Sequence, residues 1–258
     1  MSNATWRLFI DLTGREIRSR FLQSGAGWFW LLITPVLLLL VYAFVFGVIF
    51  QARAPEDLQV PFAVWLAVAL WPWLAFSDGV QRGSHGILQN AALVSKVAIR
   101  RELLVISAQT AAFVLQLVGY GVVLVVVHAT TASLTWSGLL YAIPIIATLY
   151  LFSVGLALLL SGVQVFVRDI EQILPTLFMF WFFLTPIIYA PELLPDEIAQ
   201  WIFLNPMTWW VEELRAAMFE GKIWPDVSFV YMLLTGGLAL LAGLAVFRRL
   251  SSHFEDFL

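Results

Sequence analysis

The chain has 258 residues, of which 61% are apolar, 15% aromatic and only 12% charged, with a formal net charge of -3 and no cysteine. A mean hydropathy of +0.90 lies far above that of soluble domains, so most of the chain is read as membrane-embedded. The lack of cysteine excludes a disulfide framework and a thiolate metal site, and leaves the redox compartment open.

The first predicted element covers residues 5–22. Trp6, Phe9, Ile10, Thr13, Ile17 and Phe21 fall on one helical face with Arg7, Asp11, Arg15 and Arg18 opposite, the pattern of a helix lying in the membrane interface. A long polar lead carrying Asp11 and Glu16 argues against a cleavable signal peptide. Gly14, Gly25 and Gly27 offer points where the backbone can bend around a head group. After an elbow at Ser24-Gly25-Ala26-Gly27-Trp28-Phe29-Trp30, residues 28–50 carry no charged side chain. That stretch is long enough to cross a hydrocarbon core of roughly 30 Å, which takes about 20 helical residues.

Five more apolar runs follow at 61–80, 103–127, 139–163, 173–190 and 228–247. Together they predict an all-α polytopic membrane protein, one domain over 1–258, with six transmembrane helices. Eleven Lys and Arg lie near the span ends on the terminal side: Arg7, Arg15, Arg18, Arg20, Arg82, Lys96, Arg100, Arg101, Arg168, Arg248 and Arg249. Three lie on the other, Arg53, Arg215 and Lys222, so both termini are expected in the cytoplasm. The opposite side is acidic, with Glu56, Asp57, Glu192, Asp196, Glu197, Glu212, Glu213, Glu220 and Asp226.

The spans hold no carboxylate, lysine or histidine at mid-depth, which argues against an ion-coupled carrier. Asp78 sits at a span end four residues before Arg82, where an i,i+4 ion pair accounts for it. His85, His128 and His253 have no partner at ligand spacing, so no metal site is expected. Neither a G-x-x-x-x-G-K-[ST] phosphate loop nor a G-x-S-x-G elbow is present, so no catalytic residue is assigned. Any energy for transport must then come from a partner.

Between the second and third runs, residues 81–102 form the longest connection on the terminal side. There Asn90, Leu93, Val94 and Val97 mix with Lys96, Arg100 and Arg101, predicting a short exposed docking helix over Leu88–Val97. Aromatic residues recur on single helical faces: Tyr42, Phe46 and Phe50 on the first span, Trp65 and Phe76 with Pro72 on the second, and Phe178, Phe182 and Tyr189 with Thr185 on the fifth; Trp73 is a further candidate channel residue. Such rings suit the apolar faces of a sliding sugar polymer. Trp28, Trp30, Trp136, Trp201 and Trp224 read instead as an interface belt. The connection over 191–222 predicts two short external helices, Asp196–Leu204 and Thr208–Phe219, broken at Asn205-Pro206 and closing the exit like a lid.

Several motifs now combine. Arg15-Glu16-Ile17-Arg18-Ser19-Arg20-Phe21, Ser24, Gly27, Trp30 and Pro35, Trp71-Pro72-Trp73 and Asn90-x-x-Leu93-Val94-x-Lys96-Val97 occur in that order. Arg168-Asp169-Ile170, Thr185-Pro186-Ile187-Ile188-Tyr189 and Asn205-Pro206-Met207 with Glu212 and Arg215 follow. Over nearly the whole chain they resemble ABC-2-type permeases that export bacterial surface polysaccharides, O-antigen exporters above all, with capsule and teichoic-acid exporters as near relatives. Where that family often has Phe-Pro-Arg-Glu, this chain has Ile99-Arg100-Arg101-Glu102.

The resemblance implies a homodimer in the bacterial inner membrane, bound to two copies of a separate ATPase that holds the ATP and Mg. Its substrate would be a polysaccharide on a polyprenyl diphosphate. Arg15, Arg18 and Arg20 would meet the diphosphate at a lateral gate, and Asn90, Leu93, Val94, Lys96 and Arg100 would couple to the ATPase. The aromatic residues above would line the channel. Membrane lipids are further partners and no nucleic acid is expected. The same layout serves drug or small-lipid export. An enzyme acting on lipid-linked sugars would need a clustered acid or histidine set, of which Glu212 and Glu213 are only a weak version, and a membrane scaffold would need no coupling loop.

Overall fold

A computed structural model describes residues 3–21, 27–52, 54–55, 58, 60–96, 99–131, 133–254 and 257. Among these, all regular structure is helical. The interface segment is α1 (Asn3–Phe21), followed by α2 (Gly27–Tyr42), which continues as a π-helical stretch over Ala43–Ile49. Then come α3 (Phe62–Ser84), a 3-10 turn at Leu88–Asn90, α4 (Ala91–Lys96), α5 (Glu102–Thr131) and α6 (Trp136–Gln164). The rest is α7 (Ile170–Leu184), α8 (Asp196–Ile202), α9 (Pro206–Arg215) with a π-helical continuation over Ala216–Glu220, and α10 (Val227–Ser251).

Among the described residues, five helices are long and apolar enough to cross a membrane: α2 with its continuation, α3, α5, α6 and α10. The run expected to cross at 173–190 is helical only over the 15 residues of α7. At 1.5 Å per residue that is about 22 Å, short of a roughly 30 Å hydrocarbon core. Its end has a local cause. Thr185 precedes Pro186 and takes the extended conformation (φ -97°, ψ 137°) that the proline ring favours in its neighbour. The elbow residues Ser24, Gly25 and Ala26, together with Arg53, Glu56, Asp57 and Val97, lie outside the described residues.

Helix α3 is the axis of the bundle, buried over most of its length against α5 and α6. Its proline is accommodated rather than merely tolerated. Pro72 has no N–H to give the Val68 carbonyl, and the Tyr120 hydroxyl of α5 donates to that oxygen instead (3.2 Å). Where lipid is as apolar as leucine, helices associate through close packing rather than the hydrophobic effect. The most extensive contact, between α6 and α10, uses this rule: a methyl group added at Gly155 or Gly243 would collide with the backbone of the facing helix. Gly119 of α5 likewise admits Pro35 of α2. By contrast α2 with its continuation, and α10, leave most of their surface uncovered by this chain, including Phe44, Leu238 and Leu241.

Candidate functional site

The alternating helices sort the charges to two ends. The basic end gathers α1, the C-termini of α3, α6 and α10, and the N-termini of α5 and α7. There Asp78, at the end of α3, accepts from Arg82 Nε one turn away (3.2 Å), the pair expected from spacing. It also accepts from Arg20 Nη1 (3.3 Å) and Gln116 Nε2 (3.4 Å), so one carboxylate joins α1, α3 and α5. Burial pulls the Arg20 guanidinium below its ordinary pKa while Asp78 opposes that pull. Arg15 Nη2 donates to Asn90 Oδ1 (2.7 Å), and Asn90 Nδ2 to the Gly86 carbonyl (2.9 Å). Arg18 is exposed.

The segment expected to dock a partner is thus tied to α1 by a charged hydrogen bond. Its apolar residues point the other way from the expectation of an exposed helix: Val94 is buried and Leu93 half-buried, packed in a cluster with Leu12, Ile87 and Leu103. Gln89, Ala92 and Arg100 are exposed, and the Lys96 side chain lies outside the described residues. A path of direct contacts therefore runs from the 88–96 segment through Arg15 and Arg20 to the buried axis α3.

At the other, acidic end, the Thr185-Pro186 and Asn205-Pro206 motifs meet. Asn205 caps α9 by accepting from the Met207 N–H (3.1 Å) and also accepts from Trp181 Nε1 (2.8 Å). Its amide donates to Thr185 Oγ1 (2.9 Å) and the Leu184 carbonyl (3.1 Å), satisfying the open end of α7. Arg215, at the far end of α9, donates from Nη1 to the Pro186 carbonyl (2.7 Å) and Glu212 Oε1 (2.7 Å), and from Nη2 to the Ile187 carbonyl (3.0 Å). Its guanidinium lies 3.4 Å from the centroid of the Trp65 ring. Burial pulls its pKa down to about 10 and pushes that of Glu212 up, each opposed by the other's charge. A cavity of about 490 Å³ opens beside this node, with Glu192, Glu212 and Glu220 on its wall.

Helix α9 is driven into the bundle among α3, α6 and α10, with Trp210 fully buried, stacked on Phe152 (5.0 Å) and donating to Thr148 Oγ1 (2.9 Å). Trp201 and Trp224 stay exposed. Glu213 is buried and accepts from the Tyr141 hydroxyl (2.9 Å) and Lys222 Nζ (2.8 Å). The interval read as two short external helices holds α8 and α9, and Gly221 ends the π-helical continuation in the left-handed region (φ 70°).

The aromatic faces separate into two groups. Tyr42 and Phe46 stack at 5.8 Å, and Phe46 meets Phe50 at 5.7 Å and Phe62 at 6.1 Å, a ladder that grows more exposed toward Phe50. Trp65, Trp73, Phe76 and Phe178 are buried, while Phe182 and Tyr189 are half-buried. Trp181, which the sequence reading did not single out, joins them: its ring lies 5.2 Å from Phe76, 5.8 Å from Phe178 and 5.9 Å from Trp73. Arg215 was also absent from the expected site. In the sequence it was marked only as the arginine that follows Asn205-Pro206-Met207 and Glu212 in the motif, on a mostly acidic side. Among the described residues, no cluster of three or more His, Asp or Glu is placed to hold a metal ion.

Comparison with known proteins matches residues 7–219 to the ABC-2 type transporter family. The O-antigen export system permease protein RfbA of Klebsiella pneumoniae is 26% identical over 255 residues, 97% of this chain and 95% of that protein. The protein of that name in Myxococcus xanthus is 29% identical over 96% of this chain and 94% of its own length. The polysialic acid transport protein KpsM of Escherichia coli is 24% identical over 91% of this chain and 90% of its own. With the family matched over most of its length, this multi-pass helical chain belongs to the ABC-2 type transporters.

Proposed function

We propose that this chain is the permease subunit of an ABC exporter that moves a polysaccharide carried on a polyprenyl diphosphate from cytoplasm to periplasm. The observation that carries the reading is near full-length similarity to O-antigen export permeases, with capsule exporters as weaker relatives over a similar length. Six crossings, counting α7 with residues 185–190, put both termini on one side. The eleven-to-three distribution of Lys and Arg favours the cytoplasm for that side. Two copies of the chain would pair through faces such as α2 that the single chain leaves uncovered, and two ATPase subunits would supply ATP and Mg.

In this reading the ATPase presses on the segment carrying Asn90, Leu93, Val94, Lys96 and Arg100. Arg15 and Arg20 pass that displacement to α3, and with exposed Arg18 they bring positive charge to an arriving diphosphate, which guanidinium forks suit. Tyr42, Phe46, Phe50, Phe182 and Tyr189 offer ring surface to the glycan. Trp65, Trp73, Phe76 and Phe178 back them until α7 moves. Helices α8 and α9 act as the external gate, held by Asn205 and Arg215. Export of another lipid-linked glycan, a drug or a lipid fits the same architecture. Deleting the gene and assaying surface glycan tests the choice: intracellular accumulation of lipid-linked polymer is expected, and unchanged surface glycan would exclude it.

A further inference from the structure

A second cavity, of about 480 Å³, opens at the basic end between α1, α5, α6 and α10, away from α2 and α7. That volume is within the roughly 300–1,000 Å³ of small-ligand pockets. Its walls are apolar, made by Trp6 and Phe9 of α1, Leu103 and Ile106 of α5, and Leu244 of α10. Trp6 and Phe9 pack ring on ring (5.5 Å), and Trp6 is half exposed, so the cleft has an open aromatic rim. On its inner wall the Thr110 and Tyr150 hydroxyls bond each other (2.7 Å), and Phe113 closes against the Tyr150 ring (5.3 Å). From Glu102 at the mouth to Thr110 is eight residues of α5, about 12 Å of depth at 1.5 Å per residue.

The mouth is charged. Exposed Arg100 and Arg248 face it, and its acid, Glu102, is already engaged by Arg248 Nε (3.1 Å). An apolar slot a dozen ångströms deep below two arginines matches the two halves of one molecule, a phosphate head and an acyl chain. Basic pockets between membrane helices hold anionic head groups in this way. We propose that this cleft is a binding site for an anionic phospholipid, seated beside α1 and separate from the glycan path. Occupancy would brace α1 against α5 and α10, and so set the position of the arm that carries Arg15 and Arg20. Assigning the lipid to the inner leaflet rests on the topology proposed above; the binding itself does not.

The test is binding of phosphatidylglycerol with a fluorescent tail to the purified full-length chain in zwitterionic micelles. At about fivefold per arginine, Arg100→Ala with Arg248→Ala should weaken binding about twenty-five-fold. Ile106→Trp, which fills the slot without changing charge, should also weaken it. Glu102→Gln, by releasing Arg248, should strengthen it severalfold. Arg249→Ala, one residue outside the mouth, should leave it unchanged. Equal weakening by Arg249→Ala, or equal affinity for phosphatidylcholine, would overturn the proposal, as would preferential displacement by polyprenyl phosphate. No ATPase or glycan enters the assay, so its failure is distinguishable from failure of the exporter reading.

Discussion

Arg215 holds the acidic end together, and replacing it with alanine should show by how much. The change removes the donors to the Pro186 and Ile187 carbonyls, each worth roughly 1–3 kcal/mol when left unsatisfied. It also removes a desolvated cation over Trp65, worth about 2 kcal/mol. Relief of the cost of burying a charge offsets part of this, leaving a net loss of about 3–5 kcal/mol. Arg215→Lys keeps the charge, but one ammonium cannot fork to two carbonyls while lying flat on a ring, so about half the loss should remain. Reversible unfolding of the purified chain by SDS in mixed micelles measures both. Limited proteolysis between Thr185 and Leu194 should quicken in the same order. An alanine variant within about 0.5 kcal/mol of wild type, a span usual for harmless surface changes, would refute the argument.

Three other perturbations follow from the geometry. A double-mutant cycle on Arg20→Ala and Asp78→Ala should give a coupling of about 1 kcal/mol for this half-buried pair, and a value indistinguishable from zero would remove α1 from the path to α3. Gly243→Val should abolish folded, monodisperse protein or cost about 3 kcal/mol, whereas Gly237→Val, whose added carbon meets open space, should be tolerated; equal outcomes would contradict the α6–α10 packing. Tyr42→Ala, Phe46→Ala and Phe182→Ala combined should slow glycan export while the ATPase still copurifies, and unchanged export would count against these rings as channel lining.

What the sequence made legible was local. Apolar run length located the five long helices, the 3.6-residue pattern located α1, and Asn205-Pro206 marked the break before α9, because each depends on neighbours in the chain. The Asp78–Arg82 pair was readable for the same reason, but not the third partner: Arg20 is 58 residues away from Asp78. The apolar side of the 88–96 segment looked suited to an outside partner, yet Val94 turns inward into one cluster with Leu12 and Leu103, which only the return of α1 across α5 creates. Composition gave α7 a full crossing. Its end at Leu184 depends on Pro186 locally, and on Asn205 and Arg215 capturing the freed carbonyls from 20 to 30 residues downstream. Trp181 escaped notice, and Arg215 was read only as part of a motif, because their roles lie in contacts between helices.

The most direct measurement is ATP-dependent movement of a lipid-linked polysaccharide across vesicles holding this chain and a candidate ATPase, with the chain alone and a hydrolysis-dead ATPase as controls. The account predicts that polymer crosses only with the active ATPase. Assembly and ATP hydrolysis without movement of any lipid-linked glycan would contradict it.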